Sequence, residues 1–139
     1  EYRAIGDIVN TTNRIQGVNK YLGTRILVSS EVITGLDEFL ARPLGDFLLT
    51  GKSTPVNLFE LMTHSDSASE RQLWLCETFS CALNAYQRQQ WGEACEIFNE
   101  ILDVMPEDGP ARFFLAACQQ YQSAVPTGLW DPVMRISNK

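Results

Sequence analysis

From Ile8 to Leu22 the apolar residues fall at Ile8, Val9, Ile15, Val18 and Leu22, one stripe of a helix that Gly23 stops. The run Arg25 to Ser29 then reads as a strand. Ser29 or Ser30 can cap a short helix reaching Ile33, with Glu31 in its first turn. Strands are predicted over Phe39 to Arg42, Gly45 to Thr50 and Pro55 to Leu61, and the turn Thr50 to Pro55 supplies the Gly and Pro punctuation between the last two. Strand, helix and hairpin in this order make an α+β unit whose sheet needs cover on one face.

After Leu61 the period changes. Helices are predicted over Glu70 to Gln89, Trp91 to Met105 and Gly109 to Gln122, jointed at Gln90–Gly92 and at Pro106–Pro110. Between the two patterns, residues 63–69 read as a linker, which divides the chain into residues 1–62 and 70–139. The charge divides with it. Residues 1–62 carry six Lys and Arg against seven Asp and Glu; residues 63–139 carry five against ten. The tail from Pro126 to Pro132 is irregular, and Trp130 is expected to pack back on the helices.

A 45% apolar composition argues against disorder. The longest unbroken apolar run is Phe113 to Cys118, far below the roughly 20 residues a membrane-spanning helix needs. Nothing at the start of the chain resembles a signal peptide, so a cytoplasmic setting is expected. A net charge of −6 disfavours a nucleic-acid partner. Cys76, Cys81, Cys95 and Cys118 have no C-x-x-C spacing, and the single histidine, His64, belongs to no ligand-like cluster, so reduced and packed thiols are expected, with no zinc site. The sequon at Asn10 is set aside for want of any other sign of secretion. Gly51-Lys52-Ser53 does not open a phosphate-binding loop. That motif needs a glycine at 46, where the chain has Asp46, and a helix after the loop rather than a strand.

The chemistry-bearing stretch is Tyr2 to Arg14, with Gly6, Asp7, Val9, Asn10 and Arg14. Asn10 and Arg14 stand four apart and share a helix face, while Gly6 and Asp7 lie where that helix begins and its N–H groups are free. An amide beside a guanidinium fork suits a phosphorus centre gathering negative charge. Taken alone, the pair reads more simply as a surface arginine beside a turn-favouring asparagine. The surroundings reverse that preference. The spacing G-[DN]-x-V-N-x-x-x-R, continued by Tyr21 to Ser29, Arg42 to Gly45, Gly51 to Val56 and Leu58 to Leu61, resembles the class III nucleotidyl cyclase domain over about 60 residues.

That resemblance implies the C-terminal half of a ferredoxin-like cyclase domain. In such enzymes the ribose 3′-hydroxyl of ATP attacks the α-phosphorus, pyrophosphate leaves and cyclic AMP forms. It implies Mg2+ or Mn2+ on two aspartates outside this chain, and active sites between two domains paired head to tail. Asn10 and Arg14 are the implied catalytic residues, orienting the ribose and countering phosphoryl charge. Asp7, Arg3, Lys52 and Thr50 are the implied substrate-binding positions. Two of these depart from the family pattern. Arg3 stands at the base-reading position and can only donate hydrogen bonds. Thr50 aligns with a phosphate-binding lysine, and Lys52, two residues on, stands either as its substitute or as a plain turn lysine. The chain alone, with half a site, is expected to be inactive. The parent is expected to be of bacterial type, with an upstream sensor that can anchor it to a membrane.

Residues 70–139 resemble, more loosely, a tetratricopeptide repeat, with Ala82, Tyr86, Trp91, Ala94, Phe98, Leu102 and Pro106 at its small, aromatic and proline positions. A protein partner for these helices, and a helical extension that only packs on the cyclase unit, are both open. The alternative function is a lapsed cyclase fold that pairs or senses nucleotide without turnover.

Overall fold

A computed structural model describes Val18, Leu22, Thr24 and residues 26–49 and 51–135. The architecture is α+β. In chain order the elements are β1 (Leu27–Ser29), α1 (Ser30–Ile33), β2 (Phe39–Leu48), β3 (Val56–His64), a short 3-10 turn (Ser65–Ser67), α2 (Glu70–Gln87), α3 (Trp91–Val104), α4 (Gly109–Ser123) and β4 (Met134–Arg135). The sheet order is β1-β3-β2-β4. β3 is antiparallel to β1 and β2, and β4 runs parallel to β2. Val18 and Leu22 are helical and fully buried, as the apolar stripe requires.

The two strands expected at 39–42 and 45–50 are one strand. Its register against β3 shifts between Pro43 and Gly45, where Gly45 takes φ 97°, a conformation that glycine adopts without a Cβ penalty. The shift decides which side chains enter the core. Arg42 and Leu44 point inward before it, Phe47 and Leu49 after it. Asp46, which strict alternation would bury, is left partly exposed and accepts a 2.9 Å bond from Asn57 Nδ2. Pro43 is tolerated because β4 pairs only with Phe47 and Leu48, so β2 has a single partner strand at the proline.

β3 runs past Leu61 to His64, because Leu40 pairs with Thr63 and Phe39 with His64. Ladder bonds carry the strand through residues whose polarity marked the end of the apolar pattern. Ser69 then opens α2 with a reciprocal cap: its hydroxyl accepts from Gln72 N at 3.1 Å, and its own N–H donates to Gln72 Oε1 at 3.0 Å. Asp108 caps α4 by accepting from Ala111 N at 3.1 Å, with Pro110 in the first turn.

The helices turn Leu75, Phe79, Leu83 and Tyr86 of α2, Ala94 and Phe98 of α3, and Ala111 and Phe114 of α4 into one core shared with the sheet. Phe114 packs edge-on against Phe47 of β2 at 6.4 Å and against Phe79 at 5.8 Å. Each such buried ring contributes about 2–3 kcal/mol. The outer side of α3 exposes Glu93, Glu96, Glu100 and Asp103, and accounts for much of the acidity of this half. Among the described residues, no helix is long and apolar enough to cross a membrane.

The tail returns as expected, then does something the pattern could not show. Trp130 donates from Nε1 to the Gln87 carbonyl at 2.8 Å and sits 4.9 Å from the Trp91 ring. Four residues later Met134 pairs with Phe47, completing the sheet beyond the helices. A two-residue strand is too short to leave a periodic signature.

Candidate functional site

The described part of the candidate site is the hairpin between β2 and β3. Gly51, at φ 79°, lets the chain reverse after Leu49, whose carbonyl accepts from Lys52 N at 3.0 Å. Lys52 thereby stands at the hairpin tip, on the rim of an open cleft of about 320 Å³. Ser29, Ser30 and Glu31 form the opposite wall, with Thr54 and Asn57 beside the lysine. The wall comes from the β1–α1 junction, where Ser29 is the N-cap residue of α1. Among the described residues Lys52 makes no ion pair. A cleft lined by an ammonium and several hydroxyls can receive a small anionic group, and the Glu31 carboxylate limits how much negative charge it accepts.

The other expected site residues, Arg3, Asp7, Asn10, Arg14 and Thr50, lie outside the described residues. Of the expected set, the structure therefore locates Lys52 alone.

The most developed polar cluster escaped the sequence reading. Arg42 of β2 is 2% exposed. Its Nε and Nη2 both bond Glu60 Oε1, the former at 3.0 Å, and Glu60 is its register partner on β3. Nη1 reaches Asp108 Oδ2 at 2.8 Å and Nη2 reaches Oδ1 at 3.0 Å, a two-pronged pair. The guanidinium also lies 4.8 Å from the centre of the Phe79 ring. Burial alone would lower the Arg42 pKa, but the bond to Asp108 and the charges of Glu60 and Asp108 outweigh it and raise the pKa above its ordinary value. Four of the five guanidinium N–H donors are thereby given to the carboxylates of Glu60 and Asp108. Its one legible signal was an arginine among the apolar residues Phe39, Leu40, Ala41 and Leu44.

His64 lies on the surface, 3.2 Å from Glu38 Oε2 and edge-on to Phe39. Among the described residues no group of three or more His, Cys, Asp or Glu could hold a metal ion. All four cysteines are free thiols. Burial pushes the Cys118 thiol up to about 12, helped by its neighbour Cys95, whose own pKa burial also raises. Thiols so placed are packing groups rather than nucleophiles.

No family model matches the chain, and no solved structure matches it. It is 28% identical over 125 residues to the terminal-differentiation specific adenylate cyclase of Dictyostelium discoideum, a match covering 86% of this chain and 6% of that protein. It is 36% identical over 63 residues to adenylate cyclase 1 of Rhizobium meliloti (strain 1021), covering 45% of this chain and 10% of that protein. The chain is thus related to proteins named adenylate cyclase and spans a tenth or less of their length. The first match is too long for residues 1–62 to hold, so that likeness runs into the helical half.

Proposed function

We propose that the chain is the C-terminal part of a class III adenylate cyclase, which in the intact protein converts ATP to 3′,5′-cyclic AMP and pyrophosphate. The relation to two proteins named adenylate cyclase carries this reading. It is supported by the Gly6, Asp7, Val9, Asn10 and Arg14 spacing and by Lys52, which lines a polar cleft and makes no ion pair among the described residues.

In this reading Asn10 holds the ribose and Arg14 counters the charge that develops on the α-phosphoryl group as the 3′-oxygen bonds to phosphorus and pyrophosphate departs. Asp7, ahead of the predicted helix, and Arg3, at the base-reading position, complete the substrate contacts that the resemblance implies. Lys52 takes the terminal phosphates in place of Thr50. A divalent ion, Mg2+ or Mn2+, supplies activation of the hydroxyl and neutralisation of the triphosphate. Among the described residues no group fits that ion, and the resemblance implies that its two aspartates lie outside this chain. The complete site forms between two cyclase domains paired head to tail, and the 139-residue chain alone has no turnover. Residues 1–62 form the cyclase part, and residues 70–139 a helical segment of tetratricopeptide-like pattern, reached through the end of β3 and the 3-10 turn and closed by β4.

The test is cyclic nucleotide output from the intact protein with Mg2+ or Mn2+. Cyclic AMP from the intact protein, and none from the isolated chain, is expected. Turnover by the isolated chain would overturn the half-site. Silence from a folded intact protein with both metal aspartates present would favour the lapsed alternative, which Arg3 and Thr50 support.

A further inference from the structure

We propose that Arg42 is a latch that makes the β2–β3 hairpin and the three helices open and close as one body, so that the helical segment fixes the hairpin carrying Lys52 instead of moving as an adaptor. The latch acts whether or not the chain binds nucleotide.

Three observations converge on it. The first is the sharing of Asp108. The same carboxylate that receives both guanidinium prongs of Arg42 also accepts from Ala111 N and so starts α4. Releasing the sheet from Asp108 therefore disturbs the helix cap, and fraying the helix removes half of the counter-charge from a cation that is 2% exposed. A buried cation stripped of a partner is strongly destabilising, so the two events are coupled. Glu60 extends the coupling across the hairpin, because it bonds Arg42 from the neighbouring strand.

The second observation is the closeness of α2 to the irregular point of β2. A Cβ built on Gly45 would meet Gln87 Nε2 at 3.5 Å and Leu83 at 3.7 Å. The helix thus lies directly on the backbone that sets the register of the hairpin. The third is topological. The chain leaves the sheet at His64, forms all three helices, and returns to pair Met134 with Phe47 and Arg135 with Leu48. Tyr86 of α2 donates to Met134 Sδ at 3.6 Å, tying that returning strand to the helices. The helices are enclosed between strands of one sheet, so they cannot swing away without unpairing β4.

Native-state hydrogen exchange on the full chain, read by mass spectrometry, tests the latch. In mild denaturant, peptides from 41–47 and from 112–121 in the unaltered protein are expected to exchange through one opening with the same denaturant dependence. Asp108→Asn keeps a good capping side chain but removes the charge that pairs with Arg42. It is expected to raise exchange about tenfold or more in both regions, whereas Ser69→Ala, at a cap that does not touch Arg42, should raise both by a smaller factor, about fivefold. Helices opening at lower denaturant than the hairpin in the unaltered protein would overturn the latch. So would an Asp108→Asn effect confined to α4. If Asp108→Asn does not fold, the comparison in the unaltered protein decides.

Discussion

Arg42 on the second strand and Asp108 at the head of the last helix are joined by two hydrogen bonds, of 2.8 and 3.0 Å, across 66 positions of chain. Because Asp108 is also the helix cap, its loss removes two different interactions. Asp108→Ala is expected to lower stability by about 3 kcal/mol or more, combining a lost cap of about 1 kcal/mol with a buried cation left short of a partner. Ser69→Ala, which removes a cap only, should cost about 1 kcal/mol. Urea unfolding of the two variants, followed by tryptophan fluorescence, checks the difference; equal losses would show that Arg42 gains little from Asp108.

Trp130 should behave as a structural strap. Trp130→Phe keeps a ring near Tyr86, Trp91 and Tyr121 but deprives the Gln87 carbonyl of its donor, at an expected cost of about 1 kcal/mol. Trp130→Ala should cost about 3 kcal/mol. Thermal unfolding of both variants reads the series.

The thiols give a pH prediction with a definite sign. Cys118 is held at about 12 against an ordinary 9.0, first by burial and then by Cys95. Its stabilisation is complete below pH 9, where both folded and unfolded thiols are protonated. It is lost as pH rises from 9 towards 12, because the unfolded thiol ionises first. Burial, then the neighbouring Tyr121, shifts Tyr86 the same way. Denaturant midpoints should therefore fall above pH 9, less steeply in Cys118→Ala. A thiol reagent at pH 8 should modify exposed Cys81 first and leave buried Cys95 and Cys118 untouched until unfolding.

If Lys52 holds the terminal phosphates as proposed, Lys52→Ala should raise the KM for ATP of the intact protein roughly tenfold with a smaller change in kcat. An unchanged KM would return Lys52 to the status of a solvated turn residue.

Much of the fold was legible because its signals were local. Capping and breaking residues placed α3 and α4 to within a residue or so, and the Gly and Pro of the turn from Thr50 to Pro55 announced the hairpin. What escaped depended on partners far along the chain. The continuity of β2 rests on the glycine register shift, the extension of β3 to His64 on ladder bonds from Phe39 and Leu40, and β4 on a strand edge that only the folded sheet provides. Arg42 escaped for the same reason: its two carboxylates lie 18 and 66 positions away. Of the candidate site, the Lys52 turn could be read from Gly51 and Pro55, but the wall facing it comes from Ser29 to Glu31 and emerges only on folding.

Cyclic AMP production by the intact protein, with and without Arg14→Ala, tests the central claim most directly. A fall of about 10²–10³ in kcat is expected, with the variant still folded. A variant that cyclises ATP at the unaltered rate would contradict it.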